Sequence, residues 1–285
     1  MAGSTDLGPC ADLARTGDND RFLCALFAPA EARADLMALA AFNLELATAG
    51  ERVSEPLLGQ IRLQWWREAV DEAFAGRPRS HPVASGLARA AARRPLRRDL
   101  IEAMIVARER DLEPEPPADL ADLIDYARAT STGLIQLGLD VLAGRGADPA
   151  AADLVAEPVG IAWALIGLVR ATPALGRRGR VMIPREVLRR HGLTRHDVLE
   201  RRQRTAVRAA IRDLVDEAEA RLAAARDGLA GLERSVRAAF LPAALARLYL
   251  RRARRAGHDP WHPLLGHGGV ARHGVLAWAA ATGRL

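Results

Sequence analysis

Residues Glu157–Pro184 read EPVGIAWALIGLVRATPALGRRGRVMIP, and the rest of the chain can be read outward from them. Ile161, Leu165, Leu168 and Val169 recur at helical spacing beside one indole, Trp163, so the stretch begins as an apolar helix. The helix is expected to stop at Arg170-Ala-Thr-Pro173, since proline cannot continue the hydrogen-bond ladder. A glycine-flanked arginine cluster follows (Arg177, Arg178, Arg180), and then a short apolar exit, Val181-Met-Ile-Pro184. Guanidinium groups beside the end of a buried helix suit an anion with an apolar tail. They equally suit the helix terminus itself, whose dipole favours cations.

The remaining composition agrees with helices. Apolar residues make up 49 % of the chain but aromatics only 4 %, and β-branched residues never gather into alternating runs. An all-α protein is expected. With 285 residues it can bury a sizeable core. No apolar run reads as long enough to cross a bilayer. The opening residues lack a hydrophobic signal core and carry Asp6, Asp12, Asp18 and Asp20, unlike a secretory signal or an acid-poor transit peptide. A cytoplasmic location is the expectation, with peripheral contact at the inner face of the membrane. Cys10 and Cys24 are not spaced to share a metal, and a reduced chain without a disulfide is expected. The net charge is +6, and all 41 basic side chains are arginine, because the sequence contains no lysine. Arginine throughout, with abundant alanine, reflects a GC-rich genome and discounts basicity as a functional sign. Nucleic acid is not an expected partner: no binding module is recognisable, and the aromatics are not interleaved with the basic runs.

Taken in order, residues 1–18 are polar and glycine-punctuated and are expected to be loose, with one helical domain over 19–285. A short helix is expected at Arg21–Phe27 and a long one from Pro29 to about Thr48, and another opens at Ser54-Glu-Pro56 and carries the Trp65-Trp66 pair. Pro82–Arg93 and Pro95–Leu112 follow, with Arg89, Arg93, Arg94, Arg97 and Arg98 crowding their junction. Together with Arg251, Arg252, Arg254 and Arg255, that junction is a candidate for contact with an anionic membrane surface. Glu113-Pro-Glu-Pro-Pro117 is a stiff acidic linker, and Asp119–Leu142 reads as one long helix with the small-residue run Ala129-Thr-Ser-Thr-Gly133. Two short helices split by His191-Gly192 are expected over Arg185–Glu200, the second capped by Thr194. In Gln203–Leu229, Val207, Ile211, Leu214, Val215, Ala218, Leu222 and Leu229 form the apolar face. Asp213, Asp216 and Glu217 opposite have metal-ligand spacing, but beside Arg212 and Arg221 they read as a salt-bridged surface. Prolines and glycines around His258, His262 and His267 argue for an irregular loop rather than a zinc site.

The sequence resembles the squalene/phytoene synthase family from about Arg21 to the end. The resemblance rests on Ala41-Phe42, on Tyr126 through Gly133, and most specifically on Arg170…Arg177-Arg-Gly-Arg180…Pro184. It implies a single isoprenoid-synthase-like helical domain around a central cavity, and head-to-head joining of two isoprenoid diphosphates. Active members bind Mg²⁺ through two aspartate-rich motifs. The first should fall at Ala47, Thr48 and Glu51, where only Glu51 is acidic; the second should fall at Ala171 and Ala174–Leu175, where no carboxylate stands. Phe42–Ala47, Val53-Ser-Glu55, Gln64-Trp-Trp-Arg67, Arg170-Ala-Thr-Pro173 and His262-Pro263 are similar to a divergent branch that also lacks those motifs. Its mitochondrial members are assembly factors for respiratory complex I.

The resemblance therefore implies a bacterial pseudoenzyme: a binding or assembly protein with no catalytic residues, no resident metal and no cofactor. Its partner would be a membrane-complex subunit or an isoprenoid lipid, held at Tyr126, Arg170, Arg177, Arg180 and Glu51. The alternative is a prenyltransferase of phytoene/squalene synthase type, recruiting Mg²⁺ through Glu45, Glu51 and Glu55.

Overall fold

The computed structural model describes residues 8–50, 56–143, 149–266 and 269–285, and among them every regular element is helical. The chain forms two compact units, each assembled from separate pieces of sequence. One comprises Met1–Leu112, Gly133–Pro149 and Glu233–Ala239; the other comprises Glu113–Thr132, Ala150–Leu232 and Phe240–Leu285.

In the first unit the Ala30–Ala47 helix packs against the Pro9–Gly17, Asn19–Leu26, Pro82–Arg93 and Gly133–Leu142 helices. Its Met37, Leu39, Phe42 and Leu46 are fully buried, and a helix that is apolar around most of its circumference belongs inside. Within the stretch 1–18 that reads as loose from sequence, Pro9–Gly17 forms a helix, and residues 1–7 lie outside the described residues. Cys10, Ala11 and Ala14 are buried, and a side chain at Gly17 would collide with Leu44. Small residues make that close packing feasible even though the segment looks polar. The arginine junction is likewise not a bare basic surface. Buried Asp35 pairs with Arg93 and, at 3.3 Å, with Arg94. Arg97 Nε donates to Asp140 at 3.0 Å, and Arg98 reaches Asp71 at 2.6 Å and Glu102 at 2.7 Å. Beyond it, the expected Pro95–Leu112 helix runs as Arg98–Ala107 and then tightens into a 3₁₀ turn, Arg108–Leu112.

The axis of the second unit is the Pro149–Arg177 helix, all but its first residue. Contrary to the expected stop at Pro173, the helix runs through both Pro158 and Pro173. An interior proline costs about 3 kcal/mol, and here burial of Ile161, Leu165, Ile166, Val169 and Leu175 offsets it. Its Ala152–Arg177 portion is long and apolar enough to cross a membrane, which the sequence reading did not expect; 61 % of the apolar window is buried within the protein. The helix ends on a Schellman turn. Gly179 takes φ +70°, its N–H donates to the Gly176 carbonyl at 3.0 Å, and the Arg180 N–H donates to the Leu175 carbonyl at 2.9 Å.

The expected Asp119–Leu142 helix is also modified. It runs as Leu120–Ala127, a π-helical turn at Arg128–Thr132, and Gly133–Leu142. Within the second unit the π turn lies hard against Gly160. An added Cβ there would stand 2.5 Å from Thr132 Cα and 2.7 Å from Thr132 N. Thr132 Oγ1 donates to the Glu157 carbonyl at 3.3 Å, and Arg128 Nη2 pairs with the Glu157 carboxylate at 3.0 Å. Thr194 and Asp197 form the capping box of the Arg195–Leu199 helix. The Arg204–Ala224 helix buries the expected face, from Val207 to Leu222, and packs on Leu241–Arg255, which in turn packs on Ala271–Thr282.

Candidate functional site

Arg170 has the most developed setting of the candidate residues. It projects from the Pro149–Arg177 helix onto the face of Tyr249, with its guanidinium carbon 3.5 Å from the ring centroid. Its Nε donates to the Leu265 carbonyl at 3.4 Å. Tyr249 is fully buried on the Leu241–Arg255 helix, Trp163 lies 6.2 Å from it, and Arg252 approaches the ring at 5.6 Å. At that distance the guanidinium makes a close cation–π contact with the buried phenol. Arg177 is the last helical residue and is exposed. Arg180 lies half-buried past the Gly179 turn, with Nη2 3.6 Å from the Met182 sulfur. The three arginines thus occupy three different environments. About 10.5 Å of helix rise separates Arg170 from Arg177. Tyr126 is buried at the end of the helix that leads into the π turn, where its carbonyl accepts from Thr130 Oγ1 at 2.8 Å. Glu51 lies outside the described residues, as does Glu55.

In the first unit the tryptophan pair is divided between core and surface. Trp66 is buried, 5.3 Å from Phe42 and edge-on to it, while Trp65 is half-buried. With His81, Glu45 and Arg62 they line a small cleft of about 190 Å³. Glu45 is buried and lies 3.5 Å from Arg62.

The acidic face of the Arg204–Ala224 helix is engaged in ion pairs. Asp213 meets Arg190 at 3.1 Å and His191 at 3.0 Å, and Glu217 meets Arg221 at 2.7 Å. In the histidine loop, His262 Nδ1 accepts the Leu264 N–H at 3.1 Å, and His267 lies outside the described residues. His258 keeps a pKa below the ordinary histidine value, because burial and then the charge of Arg212 disfavour its cation. Buried Asp259 accepts from Arg204 at 2.6 Å and Arg208 at 2.8 Å. Burial pushes its pKa up, but the hydrogen bonds from Arg208 and the Trp261 N–H, with both arginine charges, bring it below the usual aspartate value. Among the described residues, no group of three or more His, Cys, Asp or Glu side chains is placed to hold a metal ion.

The squalene/phytoene synthase family profile matches residues 14–275. The chain belongs to that family. The bovine (Bos taurus) protein named NADH dehydrogenase (ubiquinone) complex I, assembly factor 6, is 33 % identical over 256 residues, covering 90 % of this chain and 76 % of the relative. The human (Homo sapiens) protein of the same name is 32 % identical over the same shares. A phytoene synthase of Cereibacter sphaeroides is 24 % identical over 208 residues, 70 % of this chain and 58 % of that protein. Among solved structures, a squalene synthase from Alicyclobacillus acidocaldarius superposes with a TM-score of 0.77 at 23 % identity, covering 90 % of this chain and 95 % of that one. A ligand-bound dehydrosqualene synthase reaches 0.82 at 17 % identity, covering 97 % and 95 %. Both show the squalene synthase-type all-α fold.

The family membership makes the side chains at the expected Mg²⁺ positions informative. Ala47, Ala171, Ala174 and Leu175 offer no donor atom, and Thr48 Oγ1 donates back to the Leu44 carbonyl at 2.9 Å. These five positions supply none of the carboxylate oxygens on which a Mg²⁺ cluster is built, and the sixth, Glu51, lies outside the described residues. Tyr249 and Asp259 were not singled out from sequence. An Arg-Tyr stack spanning residues 170 to 249 leaves no local signature, whereas Gly257-His-Asp-Pro260 at least marks Asp259 as a turn residue.

Proposed function

We propose that this protein is a non-catalytic assembly factor for a respiratory complex I, built on the squalene/phytoene synthase fold. The observation that carries the reading is the combination of long, 32–33 % identical relatives bearing that name with a single carboxylate, Glu51, at the positions where the family's metal ligands should stand. Without the two aspartate-rich motifs to gather Mg²⁺, a diphosphate leaving group loses its main electrostatic support. A family fold stripped of that chemistry keeps its value as a binding scaffold. Its partner is a subunit of the membrane complex, met at the inner face of the cytoplasmic membrane. Exposed Arg251 and Arg255, with exposed Val270 and Trp278, support a surface placement there.

Two measurements test the proposal. Deleting the gene should lower the amount of fully assembled complex I on native gels, and the intact chain should restore it. Purified protein given farnesyl or geranylgeranyl diphosphate with Mg²⁺ should release no diphosphate above the no-enzyme control. Robust Mg²⁺-dependent release would overturn the non-catalytic reading and return Glu45, Glu51 and Glu55 to consideration as ligands.

A further inference from the structure

The second unit carries a groove of about 720 Å³ that neither Arg170 nor the metal positions line. One wall is the acidic, proline-rich stretch ending at Pro116–Asp119; the other is the Arg185–Arg190 helix and the turn leading to Arg195. The walls are fixed to each other. The Arg185 N–H donates to the Pro117 carbonyl at 2.8 Å, and the Glu186 N–H donates to the Ala118 carbonyl at 3.1 Å. Pro116, Leu188 and Leu193 are buried and give the groove an apolar floor.

Three guanidinium groups line this floor. Arg185 and Arg189 are exposed and make no ion pair among the described residues. Arg195 donates through Nη2 to the Gly179 carbonyl, while its buried Nε has no hydrogen-bond partner among the described residues. Of the acids in the lining, Glu186 is matched by Arg190 at 2.9 Å, and Asp119 accepts the Asp122 N–H of its own helix at 2.9 Å. Glu115 is exposed at the edge.

We infer that this groove docks an extended, acidic segment of a partner protein, with carboxylates at alternate positions and apolar side chains between them. The spacing selects this occupant. Arg185 and Arg189 are one helical turn apart, a rise of about 6 Å, and alternate side chains of an extended strand are about 6.7 Å apart. A strand laid along the helix therefore presents one carboxylate to each guanidinium, and the side chains between them turn away from the helix toward Pro116 and Ala118 on the facing wall. A single phosphate needs donors converging on one point, and these are in a row. A flat lipid surface does not enter a concave floor. The inference goes beyond the assembly reading and does not depend on complex I being the target.

The test is fluorescence anisotropy of the full chain with a labelled octapeptide alternating glutamate and valine, beside a block peptide of the same composition. The alternating peptide should bind saturably and more weakly as salt rises. The double variant Arg185→Gln/Arg189→Gln should weaken binding about tenfold. Arg251→Gln/Arg255→Gln, which removes the same charge elsewhere, should change it by less than about twofold. Thermal melts of both variants report that they are folded. Absence of saturable binding, equal binding of the block peptide, or equal loss in the two variants would each overturn the inference. It would also fall if Arg185→Gln/Arg189→Gln abolished binding to phosphatidylglycerol vesicles while leaving the peptide untouched, which would make the row a lipid site. A failed peptide titration leaves the complex I reading standing, and failed genetic rescue leaves the groove standing.

Discussion

Gly160→Ala and Gly167→Ala place the same methyl group on the same helix seven residues apart and should change stability in opposite directions. In an unconstrained helix either change gains about 0.5–1 kcal/mol, since alanine loses less backbone entropy than glycine. At Gly167 nothing lies within 4 Å of the new Cβ, so the gain should appear in full. At Gly160 the methyl would meet Thr132 Oγ1, Thr132 Cα at 2.5 Å and Thr132 N at 2.7 Å. Two of those atoms are backbone, so no rotamer change relieves the clash. The π turn or the helix must retreat by most of an ångström, breaking the Thr132–Glu157 hydrogen bond. Overpacking of this kind costs about 1–3 kcal/mol and occasionally more. A net loss of about 1–2 kcal/mol is expected, leaving the two variants about 1.5–3 kcal/mol apart. Urea unfolding followed by circular dichroism reads the difference as opposite shifts in midpoint at equal slope. Adding Thr132→Ala to Gly160→Ala should recover little, because the backbone contacts remain. If Gly160→Ala were neutral or stabilising, the close approach of the π turn to the helix would be wrong.

Three further outcomes follow from the same structure. Arg170→Leu should lose about 1 kcal/mol of stability through the Tyr249 stack, and Arg170→Lys should not restore it; unchanged urea midpoints would argue against the stack. Asp259→Asn should destabilise the protein by about 1–2 kcal/mol at neutral pH. Because the folded-state pKa of Asp259 is depressed, its contribution is present above the ordinary aspartate value. The gap between wild type and variant should therefore close as the pH falls below about 3.9; a gap that persists under acid would contradict the assignment. Cys10 and Cys24 are both free and buried, and burial drives the Cys24 thiol pKa far up, so labelling by a thiol reagent should be slow until urea unfolds the chain. Rapid native labelling would show that one of them is accessible.

What could be read from the sequence was what repeats locally. The Arg204–Ala224 helix was legible because Val207, Ile211, Leu214 and Leu222 recur with the helical period, and Thr194 was legible because a cap acts three residues away. The misreadings share the opposite cause. Proline at position 173 argues locally for a stop, and only tertiary burial on both sides carries the helix past it. The Pro9–Gly17 helix depends on Leu44 and its neighbours, which no window over residues 1–18 contains. The π turn occurs where a threonine hydroxyl can satisfy the Tyr126 carbonyl, a choice that helical periodicity does not record. For the candidate site, Arg170 was found through the family motif, whereas its aromatic partner Tyr249 is contributed by a distant helix.

The ion pairs at Asp35, Asp140 and Asp259 all use guanidinium groups, and no side chain in the protein carries an ammonium. Guanidinium keeps its proton far above the range where an amine would lose it. Alkali therefore cannot dissolve these bridges by neutralising their cations.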